Sequence, residues 1–176
     1  DDKSNETKLE NLINIISDGG AIIINLWNKD KLSISLTVQV ILSKIAEMLD
    51  SGYKPLFIFA EEAQLYLDET EWTDLITRIR HRGAYQFYIT NTPRSLIVHA
   101  VNMADNIFIF NLTNEEDTKY IVPASKMDIN TLTSIVRSLP PRRFLAIGKI
   151  TKEHPFIIKT IQIPYKTEGK TKLLWT

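Results

Sequence analysis

Residues 55–67 read Pro55-Leu56-Phe57-Ile58-Phe59-Ala60-Glu61-Glu62-Ala63-Gln64-Leu65-Tyr66-Leu67, and the reading of this stretch decides the fold. The run Leu56 to Phe59 shows no polar alternation and stands between Pro55 and two adjacent carboxylates, which predicts a strand buried on both faces of a parallel sheet. In such sheets ligands bind beyond the carboxyl ends of the strands, where Glu61 and Glu62 are expected. The pair also has a purely structural explanation, because acids open polar loops and suit the first turn of a helix.

Upstream, Ala21 to Trp27 (AIIINLW) is a nearly continuous apolar run rich in β-branched residues and predicts a second buried strand. Between the two strands, Ile34, Val38, Ile41 and Ile45 share one face of a helix expected over Ser33 to Asp50, with Gly52 at its end; the three elements form a β-α-β unit. Still earlier, Leu9, Leu12, Ile13 and Ile16 have helical spacing up to the turn Asp18-Gly19-Gly20. Downstream, Trp72, Leu75, Ile76 and Ile79 predict a helix over Thr70 to Arg82. Acids crowd its first turn, Arg78, Arg80 and Arg82 its last, and Gly83 follows, which complements the helix dipole and supplies a C′ glycine, so a purely structural explanation of these arginines is available.

Tyr85 to Thr90 is expected as a strand ending at Asn91-Thr92-Pro93-Arg94, followed by a short helix over Ser95 to Met103 and a strand over Asn106 to Leu112. Helices are expected over Asn114 to Tyr120 and Asp128 to Leu139, the latter stopped by Pro140-Pro141. Arg143 to Gly148 and Pro155 to Ile163 read as a closing antiparallel pair at the sheet edge. This alternation predicts a single α/β domain over residues 1–176 with a mainly parallel sheet flanked by helices.

Among 176 residues, 44% are hydrophobic and 24% charged, the composition of a folded globular chain, and the net charge of zero gives no general argument for nucleic acid or membrane binding. Charge is nonetheless segregated. Arg142, Arg143, Lys149, Lys152, Lys159, Lys166, Lys170 and Lys172 face only Glu153 and Glu168 near the C-terminus, while Glu61, Glu62, Asp68, Glu69, Glu71 and Asp74 crowd one segment. The absence of cysteine excludes disulfides and thiolate metal sites and fits a reducing compartment. No apolar run is read as approaching the roughly 18–20 residues that span a bilayer, and no signal peptide opens the chain, so the expected location is the cytoplasm, with no membrane partner. His81, His99 and His154 lack metal-ligand spacing, no G-x-S-x-G nucleophile elbow occurs, and Trp27, Trp72 and Trp175 are expected to serve packing.

An apolar strand ending in paired acids is the Walker B pattern of P-loop ATPases: one carboxylate holds Mg²⁺ through its water shell and the next activates the attacking water. With the order of its other motifs, the chain resembles the ATPase domain of the HerA/FtsK superfamily, closest to archaeal HerA-like DNA translocases. The carriers are AIIINLW, FIFAEEAQLYL, RIRHRGAYQFYITNTPRSL, NIFIFNL with NEED after it, and SLPPRRFLAIG. The resemblance implies a RecA-like sheet with Glu61 at the Mg²⁺ position, where the family often has Asp, and Glu62 as the water-activating residue. It implies Asn91 where the family has a γ-phosphate-sensing glutamine, and Arg80 and Arg82 where an arginine approaches nucleotide on the neighbouring subunit. Arg142 and Arg143 are further candidates at a subunit edge. It further implies ATP and Mg²⁺ as cofactors, a hexameric ring, double-stranded DNA gripped through its phosphates and a nuclease as partner.

The phosphate-binding G-x-x-x-x-G-K-[ST] is missing. At Gly169-Lys170-Thr171, Pro164 holds the first-glycine position and five residues follow, with no room for a helix. In the family this loop precedes the strand corresponding to AIIINLW, so the chain is expected to be the C-terminal part of an ATPase domain, incomplete and poor at hydrolysis alone. The alternative from another functional class is a non-catalytic module that keeps the fold for assembly.

Overall fold

A computed structural model describes residues 11, 14–16, 18–52, 55–66, 72–162 and 164–165. The expected N-terminal helix falls largely outside them; Asn11 and residues 14–16 are helical, and the turn at Asp18-Gly19 is present.

Helix α1 spans Lys31–Asp50, two residues longer at its start than its apolar spacing indicates. The added turn comes from Asp30, whose carboxylate accepts from the Ser33 amide at 3.0 Å and the Ser33 hydroxyl at 2.5 Å, satisfying an otherwise unpaired first-turn donor. Strand β1, Leu56–Glu61, follows, then a single 3-10 turn at Ala63–Leu65. Helix α2, Trp72–His81, returns the chain to strand β2, Ala84–Ile89, which pairs in parallel with β1 from Leu56 opposite Ala84 to Glu61 opposite Ile89. A 3-10 turn at Pro93–Ser95 and the short α3, Val98–Asn102, replace the single helix expected over Ser95 to Met103; Pro93 starts the first, and Leu96 and Ile97 take extended backbone between them.

Strand β3, Asn106–Ile109, is shorter than expected. Helix α4, Glu115–Ser125, is longer, running through Pro123 and ending at Lys126 in the left-handed conformation. Its start at Asn114 was legible because the side-chain oxygen accepts from the Glu116 and Asp117 amides. Helix α5 spans Ile129–Ser138 behind an Asp128 cap. Strands β4, Arg143–Gly148, and β5, Phe156–Lys159, then complete an antiparallel trio in the order β3-β4-β5. The α/β class and the antiparallel C-terminal edge are as expected. The parallel pairing is confined to β1 and β2 among the described residues.

Two expectations are corrected here. The strand β1 is buried on one face only: Leu56 is buried, whereas Phe57 and Phe59 on the other face are 64% and 67% exposed. The open face is instead a cross-strand aromatic ladder, with Phe57 stacked on Tyr85 at 5.1 Å and Phe59 on Phe87 at 4.6 Å between centroids, so each ring shields its partner. The second correction is at Ala21 to Trp27, which is irregular rather than a buried strand; Ile23 is 95% exposed, and Trp27, expected to pack, is 79% exposed. High β-propensity makes no strand without a neighbour to hydrogen-bond, and none pairs with this segment among the described residues. Trp175 and the Trp72 side chain lie outside the described set.

Two apolar clusters sit on either side of α4. One gathers Leu49, Leu56, Ile76, Ile79 and Ala84 between α1, α2 and the inner face of the parallel pair; the other gathers Ile109, Leu132, Val136 and Leu145 between α5 and the antiparallel trio. Helix α4 touches both, sending Ile121 into the second and packing Tyr120 and Ala124 on the first. The statement that no run approaches membrane-spanning length is also corrected. Helix α1 has 20 residues, and an 18-residue window of it has a mean hydropathy of 1.5, enough to cross a bilayer by length and composition alone. Its Leu42, Ala46, Met48 and Leu49 pack into the first cluster.

Candidate nucleotide site

Parallel pairing places the ends of β1 and β2 together. Glu61 lies opposite Ile89, so Glu61, Glu62 and Asn91 fall at one end of the strand pair, the carboxyl end, where open α/β sheets bind ligands. Glu61 is exposed, and its carbonyl accepts from the Tyr66 hydroxyl at 2.9 Å. Glu62 turns the chain out of the strand with φ 50° and ψ 44°, a left-handed conformation that a non-glycine residue adopts at a cost of about 1 kcal/mol or more. Its carboxylate accepts from Gln64 Nε2 at 2.5 Å, while Gln64 Oε1 is buried without a partner among the described residues. Asn91 is exposed, and its side-chain oxygen accepts from the Thr92 hydroxyl at 2.7 Å.

Two tyrosines back the glutamates. Burial, and then the charges of Glu61 and Glu62, push the Tyr66 phenol above its ordinary value. Burial does so more strongly at Tyr88, helped by the neighbouring Tyr66; its hydroxyl donates to Gln86, whose amide in turn donates to the Ile76 carbonyl at 3.1 Å. Both phenols therefore stay protonated donors at neutral pH. Gln64, Tyr66 and Tyr88 escaped the sequence reading because each sits in an apolar context that suggests packing.

Arg80 and Arg82 are not brought to this end. A helix joining two parallel strands runs back against them, so the last turn of α2 lies at the strand starts, roughly 20 Å from the glutamates, the length of a six-residue strand. There Arg80 bonds Asp105 at 2.7 Å, and Arg82 pairs with Asp50, which also faces Arg78 at 4.0 Å. Arg143 opens β4 and Arg142 precedes it, at the end of that strand away from Gly148, with the Arg142 carbonyl accepting from the Thr160 amide at 2.8 Å.

Asp105 holds a second cation, Lys149, at 2.6 Å. The hydrogen bond from Lys149, and then the bond and charge of Arg80, keep its carboxyl below the ordinary 3.8. A lowered folded-state value means that this contribution to stability is complete above the unfolded value and is lost as pH falls through the folded one. Asp105→Asn should therefore remove part of the stability at pH 6 and flatten its decline below about pH 4. Denaturant titrations from pH 6 down to pH 3 check this; two parallel acid limbs would contradict it.

Among the described residues no group of three or more His, Asp or Glu side chains is arranged around one point. Glu61 supplies a single exposed carboxylate, which suits Mg²⁺ because that ion keeps most of its waters. The only glycine-lysine-threonine lies outside the described residues.

No family pattern and no curated protein matches the sequence. Solved structures do. The genome packaging NTPase B204 from Sulfolobus turreted icosahedral virus 2, in complex with ATP-gammaS, aligns with a TM-score of 0.64 at 17% identity over 85% of this chain and 72% of that one. The chain has the fold of a packaging NTPase. The same NTPase with AMPPCP aligns at 0.61 and 18% identity over 78% of this chain and 66% of that one. The DNA-packaging ATPase B204 from Sulfolobus Turreted Icosahedral Virus gives 0.61 and 16% over 80% and 66%. This chain thus spans about two thirds of the length of the packaging NTPases it matches.

Proposed function

We propose that this chain is the Walker B part of an ATP-driven, HerA/FtsK-type DNA motor. The observation that carries the reading is the convergence of Glu61, Glu62 and Asn91 at the carboxyl end of the parallel pair, in a chain with a packaging-NTPase fold. Glu61 would hold Mg²⁺, which when bound neutralises charge on the phosphates. Glu62 takes a proton from the attacking water, and Asn91 hydrogen-bonds the γ-phosphate. Arg80 or Arg82 acts on nucleotide of the neighbouring subunit, which requires it to leave Asp105 or Asp50. The assembly is a hexameric ring in the cytoplasm that grips double-stranded DNA by its phosphates, so binding weakens steeply with salt, and a nuclease is its working partner.

A calorimetric titration with ATP tests the nucleotide reading. Affinity should rise when Mg²⁺ is present, and Glu61→Ala should cost about tenfold of it, or 1.4 kcal/mol. Binding indifferent to both returns the chain to the second reading, a non-catalytic assembly module, whereas no binding at all fits a domain whose phosphate-binding half is missing. That reading is favoured by the engagement of Arg80 and Arg82 in internal ion pairs.

A further inference from the structure

We propose that Arg94 is a phosphate-binding residue of this site, presented by Asp117 to an anionic oxygen of a nucleoside triphosphate held on the same chain. The proposal rests on the nucleotide reading of Glu61, Glu62 and Asn91, and adds a residue to it.

Arg94 lies five positions beyond Ile89, the residue opposite Glu61, in the 3-10 turn Pro93–Ser95, and so belongs to the carboxyl end of the strand pair. Helix α4 grips that turn at two points. The Tyr120 hydroxyl donates to the Leu96 carbonyl at 2.6 Å. Asp117, 3% exposed, accepts from the Arg94 amide at 3.4 Å and faces the Arg94 Nε at 3.6 Å. A carboxylate buried this deeply requires a cation, and among the described residues Arg94 supplies it.

The contact engages Nε. Both terminal nitrogens of Arg94 are left without a hydrogen bond among the described residues, on a side chain that is 53% exposed. A guanidinium whose inner nitrogen lies in ion-pair contact with a carboxylate at 3.6 Å, beyond hydrogen-bond distance, is biased in direction before any ligand arrives, and its outer pair can match two phosphate oxygens. Arg80 and Arg82 are the reverse, because their terminal nitrogens already rest on Asp105 and Asp50. Asp117 balances the charge of Arg94, so the pair discriminates by the direction of its donors more than by long-range attraction. Tyr120 fixes Leu96, directly after the turn that carries Arg94, and α4 thereby becomes the element that positions Arg94.

The test follows arginine Nε resonances in the isotope-labelled chain during separate titrations with Mg²⁺-ATP and inorganic pyrophosphate. Arg94 should shift saturably with both, Arg80 and Arg82 with neither. Arg94→Ala should weaken ATP binding about tenfold, Arg94→Lys should restore only part, and Asp117→Asn, which keeps the guanidinium but releases it, should cost about threefold. An Arg94 signal unmoved by either anion overturns the proposal, as does an equal shift at Arg80 and Arg82, the mark of non-specific attraction. If ATP moves the Glu61 and Glu62 amides while Arg94 stays still, the Arg94 assignment falls and the nucleotide reading stands. If pyrophosphate moves Arg94 while ATP leaves both glutamates unchanged, Arg94 is an anion site and the nucleotide reading falls.

Discussion

On the proposed reading, Glu62→Gln should lower ATP turnover by the assembled protein about 10²- to 10⁴-fold, the usual contribution of a positioned general base, and leave Mg²⁺-ATP binding intact. The amide is the same size and still accepts a hydrogen bond, so the contact with Gln64 Nε2 and the left-handed turn at this position persist. What is lost is the ability to take a proton from water. The comparison of phosphate release with nucleotide binding separates the two effects. Turnover within about threefold of the unmodified protein would remove Glu62 from the chemistry and leave it as a turn residue whose carboxylate merely satisfies Gln64.

Gly148→Ala should be the most destabilising single substitution among the described glycines, at about 3–5 kcal/mol. Gly148 has φ 126°, and a Cβ there would stand 2.2 Å from the Asp105 carbonyl oxygen and 2.8 Å from Asn106 Cα. Both obstacles are backbone, so neither can swing aside. Relief would require separating β3 from β4, breaking the 2.9 Å bond from the Lys149 amide to the Asp105 carbonyl, and with it the ion pairs that Asp105 makes to Lys149 and Arg80. Gly52→Ala is the internal control. Its φ is 84° but nothing lies within 4 Å, so it carries only the left-handed penalty of about 1 kcal/mol. Denaturant midpoints for the two variants measure the difference; equal losses would show that the turn at Gly148 relaxes freely.

The helices were the most legible part of the chain. Asp128 caps α5 through the Thr131 amide at 2.9 Å, and the same Asp-to-i+3 pattern lies in the sequence at Asp30, where apolar spacing alone started the helix too late. Strand β4 matched its expected limits because Pro140-Pro141 and Gly148, at a positive φ open to glycine, bound it on both sides. The end of α4 was not legible. The helix absorbs Pro123 because Tyr120 and Ile121 before it and Ala124 after it are packed into the two clusters, and packing outweighs the missing amide.

For the site, the paired acids and the strand leading to them were visible as a local pattern. The corresponding arginines were visible as residues but not as places. Their crowding in the last turn of α2 is the same whether they meet nucleotide or the carboxylates of Asp50 and Asp105, because the partners are 25 or more residues distant in sequence. Arg94 and Asp117 are 23 residues apart, and although each lies in a stretch that carries the resemblance, no local pattern links the two.

By itself the sequence determined the α/β class and the capped starts of α4 and α5, since caps, period and glycine positions act over three or four residues and need no distant partner. Tertiary structure alone decided that AIIINLW is no strand, that β1 keeps one face open, that Asn91 joins the glutamates, and that Arg80 and Arg82 stand at the opposite end. Each of these depends on which strand pairs with which and in what direction, and pairing energy lies between segments that no local pattern links.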